Sequence, residues 1–240
     1  MTLRNAGAST GKRGVASPSR RFELRSIATV AAIAAILAGL AVLTSLVFGG
    51  GTVAFDERFL LMLREAGEPH NPIGPPWFEE TVRDVSALGS TIVLTLAVVI
   101  GATYLLLIKA PQKAAFLVVA CAVGTGINRV LKLVFSRERP DIVGHETLTS
   151  GASFPSGHSA NSAIIYLLLG MMLARVEDSY VTKAFIFFVC VFITLLVGAS
   201  RVYLGVHWPT DVIAGWALGA MWALLCWLVL INLQPSGTRR

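Results

Sequence analysis

The chain is 240 residues long, 55% hydrophobic and only 14% charged, with a mean hydropathy of +0.70 and a formal net charge of +6. Water-soluble domains carry about a quarter charged residues, so this composition excludes an ordinary soluble globule and points to a chain that lives in lipid. No nucleic-acid partner and no obligate protein partner are expected; the bilayer itself is the medium.

Residues 1–26 are polar and basic, holding Arg4, Lys12, Arg13, Arg20, Arg21 and Arg25 among Gly, Ser and Ala without apolar periodicity. They read as a disordered cytoplasmic tail. The apolar run at 27–48 exceeds the roughly 7–15 residues of a signal-peptide core and reads as a retained spanning helix. A segment of about forty residues follows, with seven acidic side chains and a Pro-rich middle at Pro69, Pro72, Pro75 and Pro76 beside Trp77 and Phe78. That mixture suits a piece lying at the headgroup level. Five further apolar stretches, at 90–108, 114–134, 158–174, 182–200 and 211–231, are each expected to be helical, because lipid offers no partner to an unpaired backbone group. The expected fold is all-α: a polytopic bundle of six transmembrane helices over 27–231, with a cytoplasmic tail at 232–240. Cys121, Cys190 and Cys226 fall inside apolar stretches and read as free thiols packed as small apolar groups. His70 and His145 read as solvated loop histidines.

With the N-terminus inside, twelve of the 20 Lys and Arg fall on the cytoplasmic side, which agrees with the positive-inside bias. Both termini are then cytoplasmic. The same topology sends three polar clusters to the opposite face: Lys132 to Arg139-Pro140, Pro155-Ser156-Gly157-His158, and Ser200-Arg201 with His207 and Asp211. Lys132 and Arg139 taken alone are snorkelling cations at a helix end. Ser156 taken alone is an N-cap, with Gly157 permitting close approach to a helix start whose free N–H groups favour an anion. His158 projects from the first turn toward such a group. Pro209 suits the first position of the sixth span and puts Asp211 in its first turn, within reach of His207. A carboxylate there orients one ring nitrogen and stabilises the charge that develops when the other attacks phosphorus. Intramembrane ionisable clusters are functional hypotheses by default, and this inventory suits a phosphate ester.

The patterns K-x6-RP, PSGH and SR-x5-H-x3-D, all complete and in order over 132–211, resemble the signature of the type 2 phosphatidic acid phosphatase family. The resemblance implies a helical bundle in which His207 is the nucleophile that becomes a phosphohistidine, Asp211 is its partner and His158 is the general acid. Lys132, Arg139, Ser156, Gly157 and Arg201 would hold the phosphoryl oxygens, with no metal and no cofactor. Vanadium-dependent haloperoxidases share a similar anion site but are large soluble proteins, so the six spans count against them. The expected substrate is a lipid phosphate or diphosphate met at the outer, periplasmic face of the cytoplasmic membrane, with undecaprenyl diphosphate favoured over phosphatidylglycerol phosphate, phosphatidic acid and lipid A. A lipid phosphotransferase, and a transporter using the same cations, are the alternatives.

Overall fold

The computed structural model describes residues 18–144 and 151–232, with side chains from Glu23 onward. The basic stretch before Pro18, His145 and the end of the chain after Asn232 lie outside the described residues.

Eight helices and one hairpin are formed among the described residues: α1 (Pro18–Phe48), α2 (Val53–Leu61), β1 (Arg64–Glu65), β2 (Glu68–Pro72), α3 (Pro76–Ala87), α4 (Thr91–Leu107), α5 (Pro111–Phe135), α6 (Gly157–Ala174), α7 (Tyr180–Tyr203) and α8 (Pro209–Asn232). Proline occupies a first-turn position in α3 and α5 and opens α8, where its missing N–H costs no hydrogen bond. Ser90 and Ser179 cap α4 and α7 by accepting from the N–H of Val93 and Thr182.

Among the described residues five helices (α1, α5, α6, α7 and α8) are long and apolar enough to cross a membrane, and α3 with α4, which meet at a 49° bend, make a sixth if the bent pair is counted as one span. The protein is thus an integral, multi-span membrane protein with the helical architecture expected from its sequence. The bent sixth span differs from expectation. α4 alone has 17 residues, at the short end of a spanning helix, and α3 precedes it across the bend. The bend falls at Leu88-Gly89-Ser90, where the Leu88 carbonyl accepts from the Tyr166 hydroxyl at 2.8 Å.

α6 is the hub, packed against α4, α5, α7 and α8. Lipid tails supply no hydrophobic drive between helices, so close backbone approach matters. On α8, a Cβ added to Gly219 would sit 2.3 Å from the Ala163 Cβ of α6. Gly219, Gly215 and Asp211 recur every four residues and share one face of α8. The contact that seats the two helices therefore also aims Asp211 inward.

The segment between α1 and α4 is folded rather than loose. β1 and β2 pair antiparallel, with Arg64 opposite Pro72. The buried Arg64 donates to the Tyr203 carbonyl at 2.9 Å, and the Tyr203 hydroxyl to the Ile73 carbonyl at 2.8 Å. These bonds fasten the hairpin to the end of α7. Cys121, Cys190 and Cys226 are free and buried, as their apolar surroundings suggested. His70 is exposed on β2.

Candidate active site

Four helix ends meet at one end of the bundle: the last turns of α5 and α7 and the first turns of α6 and α8. Antiparallel packing brings the three sequence clusters together there. Lys132, in the last turn of α5, donates from Nζ to the Ala152 carbonyl at 2.9 Å. Ser136 then takes a left-handed conformation (φ 40°) and turns the chain out of the helix. Arg139 donates from Nη1 to the Val206 carbonyl at 2.7 Å and from Nε to the Gly151 carbonyl at 3.2 Å. Its Nη1 lies 3.4 Å from His207 Nε2. The segment before α6 is held by the Ser156 N–H, which donates to the Asp211 carbonyl at 3.0 Å.

Arg201 is buried at 4% exposure. Its Nη1 donates to Ser86 Oγ at 2.7 Å, while its Nε has no hydrogen-bond partner among the described residues. Lys132 lies close enough to Arg139 and Arg201 to feel the charge of both, and His158 close enough to feel Arg201, His207, Lys132 and Arg139. His158 also packs near the bend of the sixth span, since a Cβ on Gly89 would come within 3.0 Å of its Cδ2. Three cations and two imidazoles thus share one region. Like charges gathered this closely repel unless an anion is brought among them.

Ser156 takes the N-cap backbone position of α6, but its side chain departs from the expected role. Its Oγ accepts from Ser159 Oγ at 3.0 Å and caps no backbone N–H. The hydroxyl is wholly buried, and the first-turn N–H groups are left to other acceptors. At Gly157 a Cβ would stand 3.2 Å from Lys132 Cε. The absent side chain therefore makes room for the lysine to lie across the start of α6.

His207 is 2% exposed and Asp211 fully buried. Asp211 Oδ2 accepts from the Trp208 N–H at 3.0 Å and from the Ser153 hydroxyl, and it stands 3.4 Å from His207 Nδ1. Because the Ser153 hydrogen is directed at Asp211, its Oγ lone pair, 3.2 Å away, is free to face Nδ1. Two acceptors therefore surround Nδ1 and fix the tautomer with hydrogen on that atom, leaving a lone pair on Nε2. The pKa of His207 is pushed down to about 4, first by burial and further by Arg139 and Lys132, against the opposing pull of Asp211. The ring is neutral at neutral pH.

Several residues of this region had no signal in the sequence: Ser153, Ser86, Asp56, Thr210 and Arg137. Arg137 donates to Asp211 Oδ1 at 2.6 Å and to Asp56 Oδ2 at 2.8 Å. The Thr210 N–H and hydroxyl donate to Asp56 at 3.0 and 2.7 Å.

A membrane bundle with a cationic cluster and a carboxylate-oriented imidazole at one end defines an integral membrane protein equipped to handle phosphate esters. The sequence pattern of the PAP2 superfamily matches residues 113–235, and the chain belongs to that superfamily. It is accordingly a member of the membrane lipid phosphatases that hydrolyse phosphate esters. It is 38% identical over 155 residues to phosphatidylglycerophosphatase B of Bacillus subtilis, a match covering 62% of this chain and 73% of that protein. It is 31% identical over 142 residues to an undecaprenyl-diphosphatase of Sulfolobus acidocaldarius, covering 56% and 61%. The structure superposes on the crystal structure of a transmembrane PAP2-type phosphatidylglycerolphosphate phosphatase from Bacillus subtilis with a TM-score of 0.76 at 27% identity, covering 85% of this chain and 98% of that one.

Proposed function

We propose that the protein removes phosphate from a lipid phosphate or diphosphate at the outer face of a cytoplasmic membrane, through a phosphohistidine on His207 and without a metal ion. The observation that carries this reading is the orientation of His207: Nδ1 faces Asp211 and Ser153, while Nε2 faces the arginine side of the site.

In the first step the Nε2 lone pair attacks phosphorus, an N–P bond forms, and the P–O bond to the lipid breaks. His158 gives its proton to the departing oxygen. In the second step water attacks the phosphohistidine, the N–P bond breaks, and His158 takes the proton from that water as phosphate leaves. Lys132, Arg139, Arg201 and the first-turn N–H groups of α6 compensate charge on the three equatorial oxygens. That is the role a divalent ion fills elsewhere. Asp211 is already engaged by Arg137, Ser153 and Trp208. Replacing Arg201 with Lys is expected to lower kcat about 10²-fold, because a forked donor becomes a point charge; a rate within about threefold of wild type would remove Arg201 from the oxyanion contacts.

A site at a lipid-embedded helix end suits a substrate whose tail stays in the bilayer. The greater identity to a phosphatidylglycerophosphatase favours phosphatidylglycerol phosphate over undecaprenyl diphosphate, the reverse of the order expected from the motifs alone. The outward orientation rests on the distribution of Lys and Arg. The deciding experiment assays purified protein in detergent against these two lipids, phosphatidic acid and lipid A, each with labelled phosphate and in excess EDTA. Free phosphate released at the same rate with and without EDTA is expected. Activity lost in EDTA and restored by Mg²⁺ defeats the metal-independent mechanism, and label recovered on an acceptor lipid identifies a phosphotransferase.

A further inference from the structure

Asp56 lies on α2, outside the segment that matches the PAP2 pattern, and is fully buried. It accepts from Arg137 Nη2 at 2.8 Å, from the Thr210 N–H at 3.0 Å and from the Thr210 hydroxyl at 2.7 Å. Arg137 passes the connection on, donating from Nη1 to Asp211 Oδ1 at 2.6 Å and to the Thr210 hydroxyl oxygen at 2.8 Å. Its guanidinium also stands 5.4 Å from the centre of the Trp208 ring, and its carbonyl accepts from the Ser153 N–H at 2.7 Å. An unbroken chain therefore runs Asp56–Arg137–Asp211–His207.

Burying ion pairs is costly, and a well-packed apolar contact would hold α2 against α8 at least as well. Leu60 and Val212 already supply one, in a cluster with Val143 and Val202. The charge count gives the chain a second purpose. Arg137 alone would cancel the charge of Asp211 and weaken its hold on a positive imidazole. With Asp56 added, the three groups carry a net −1, which matches the single positive charge that His207 gains on attack.

We infer that Asp56 and Arg137 are positioning residues that hold Asp211 in orientation and keep the network on the Nδ1 side of His207 at a net −1, opposite the cations that face Nε2, so that α2 takes part in the reaction without touching substrate. The inference rests on the reading of His207 as the attacking group.

Phosphate release and acid-labile phosphoenzyme are measured for purified wild type, D56N, D56N/R137Q and H207A. The D56N carboxamide keeps the size of the side chain and removes its charge, so kcat is expected to fall about 30-fold with KM changed less than about twofold. In the double variant the positive charge is gone as well and the net −1 returns, so kcat per folded enzyme is expected within about fivefold of wild type, while the melting temperature, which a purely structural bridge would govern, is not expected to follow kcat across the three proteins. A D56N kcat within about threefold of wild type overturns the inference, as does a double variant no faster than D56N. If D56N does not extract as folded protein, the double variant decides alone, and a kcat more than about 30-fold below wild type overturns the inference. If neither folds, the pair is a structural bridge only. H207A separates the two levels of argument: turnover by H207A removes the nucleophile reading, whereas a dead H207A beside an unimpaired D56N removes only the role of Asp56.

Discussion

Replacing His207 with alanine is expected to abolish turnover, with a fall of at least about 10⁴-fold, and to eliminate any acid-labile, base-stable phosphoenzyme. Its ring is oriented by its neighbours: Asp211 and Ser153 flank Nδ1, and Arg139 stands 3.4 Å from Nε2. A burst of phosphoenzyme that survives in H207A would move the nucleophile elsewhere. The same residue governs the acid side of the pH profile. In the proposed mechanism His207 attacks as the neutral ring, and burial lowers its pKa to about 4. Activity is therefore expected to persist through pH 5 and to fall only as pH drops through about 4, once ionisation of the substrate is subtracted. Measuring kcat/KM from pH 3 to 8 checks this, since that ratio follows the free enzyme. An acid limb at the ordinary histidine value of about 6.5 would show that water reaches the ring more freely than its 2% exposure allows.

The second large effect belongs to His158, and its size is expected to depend on the substrate. General acid catalysis contributes about 10²–10⁴-fold, but only where the departing oxygen needs a proton. His158→Ala is expected to slow a lipid phosphate monoester by about 10³-fold and a nitrophenyl phosphate, whose leaving group departs as a stable anion, far less. Single-turnover rates for the two substrates provide the measurement. Equal losses on both would take the acid role from His158 and leave it as a contact to the phosphoryl group. Its setting makes that comparison informative, because His158 sits half-buried at the start of α6 among Arg201, His207, Lys132 and Arg139.

Neither effect depends on residues that were hard to find. Lys132, Arg139, His158, Arg201, His207 and Asp211 stand in fixed-spacing clusters, and polar residues are conspicuous where everything around them is apolar. Residues beside them were harder. Arg137 lies between Lys132 and Arg139 and is chemically indistinguishable from a third snorkelling cation; only the left-handed turn at Ser136 sends its guanidinium to Asp56 and Asp211. Ser153 precedes the PSGH cluster by two positions and looks like any loop serine. Asp56 is one of seven acidic side chains in a segment that reads as an interfacial strip.

The same division explains the sixth span. Hydropathy identifies α4 as apolar, but not that its 17 residues follow α3 across a 49° bend. That bend carries Ser86 to Arg201 and Gly89 to His158. α3 contains Glu79, Glu80, Arg83 and Asp84 and gives no hydropathic sign of belonging to a span.

By itself the sequence determined that the chain is a multi-span helical membrane protein and which polar residues form its three motif clusters. Both are local properties: twenty apolar residues must be helical in lipid, and motif spacing is read along one strand of text. Tertiary structure alone decided which side chains hold those residues in place. Asp56 and Arg137 are 81 positions apart, and Ser86 and Arg201 are 115 apart. Such pairs are selected by how helices pack and where turns point, and neither quantity is encoded in the periodicity of any single segment.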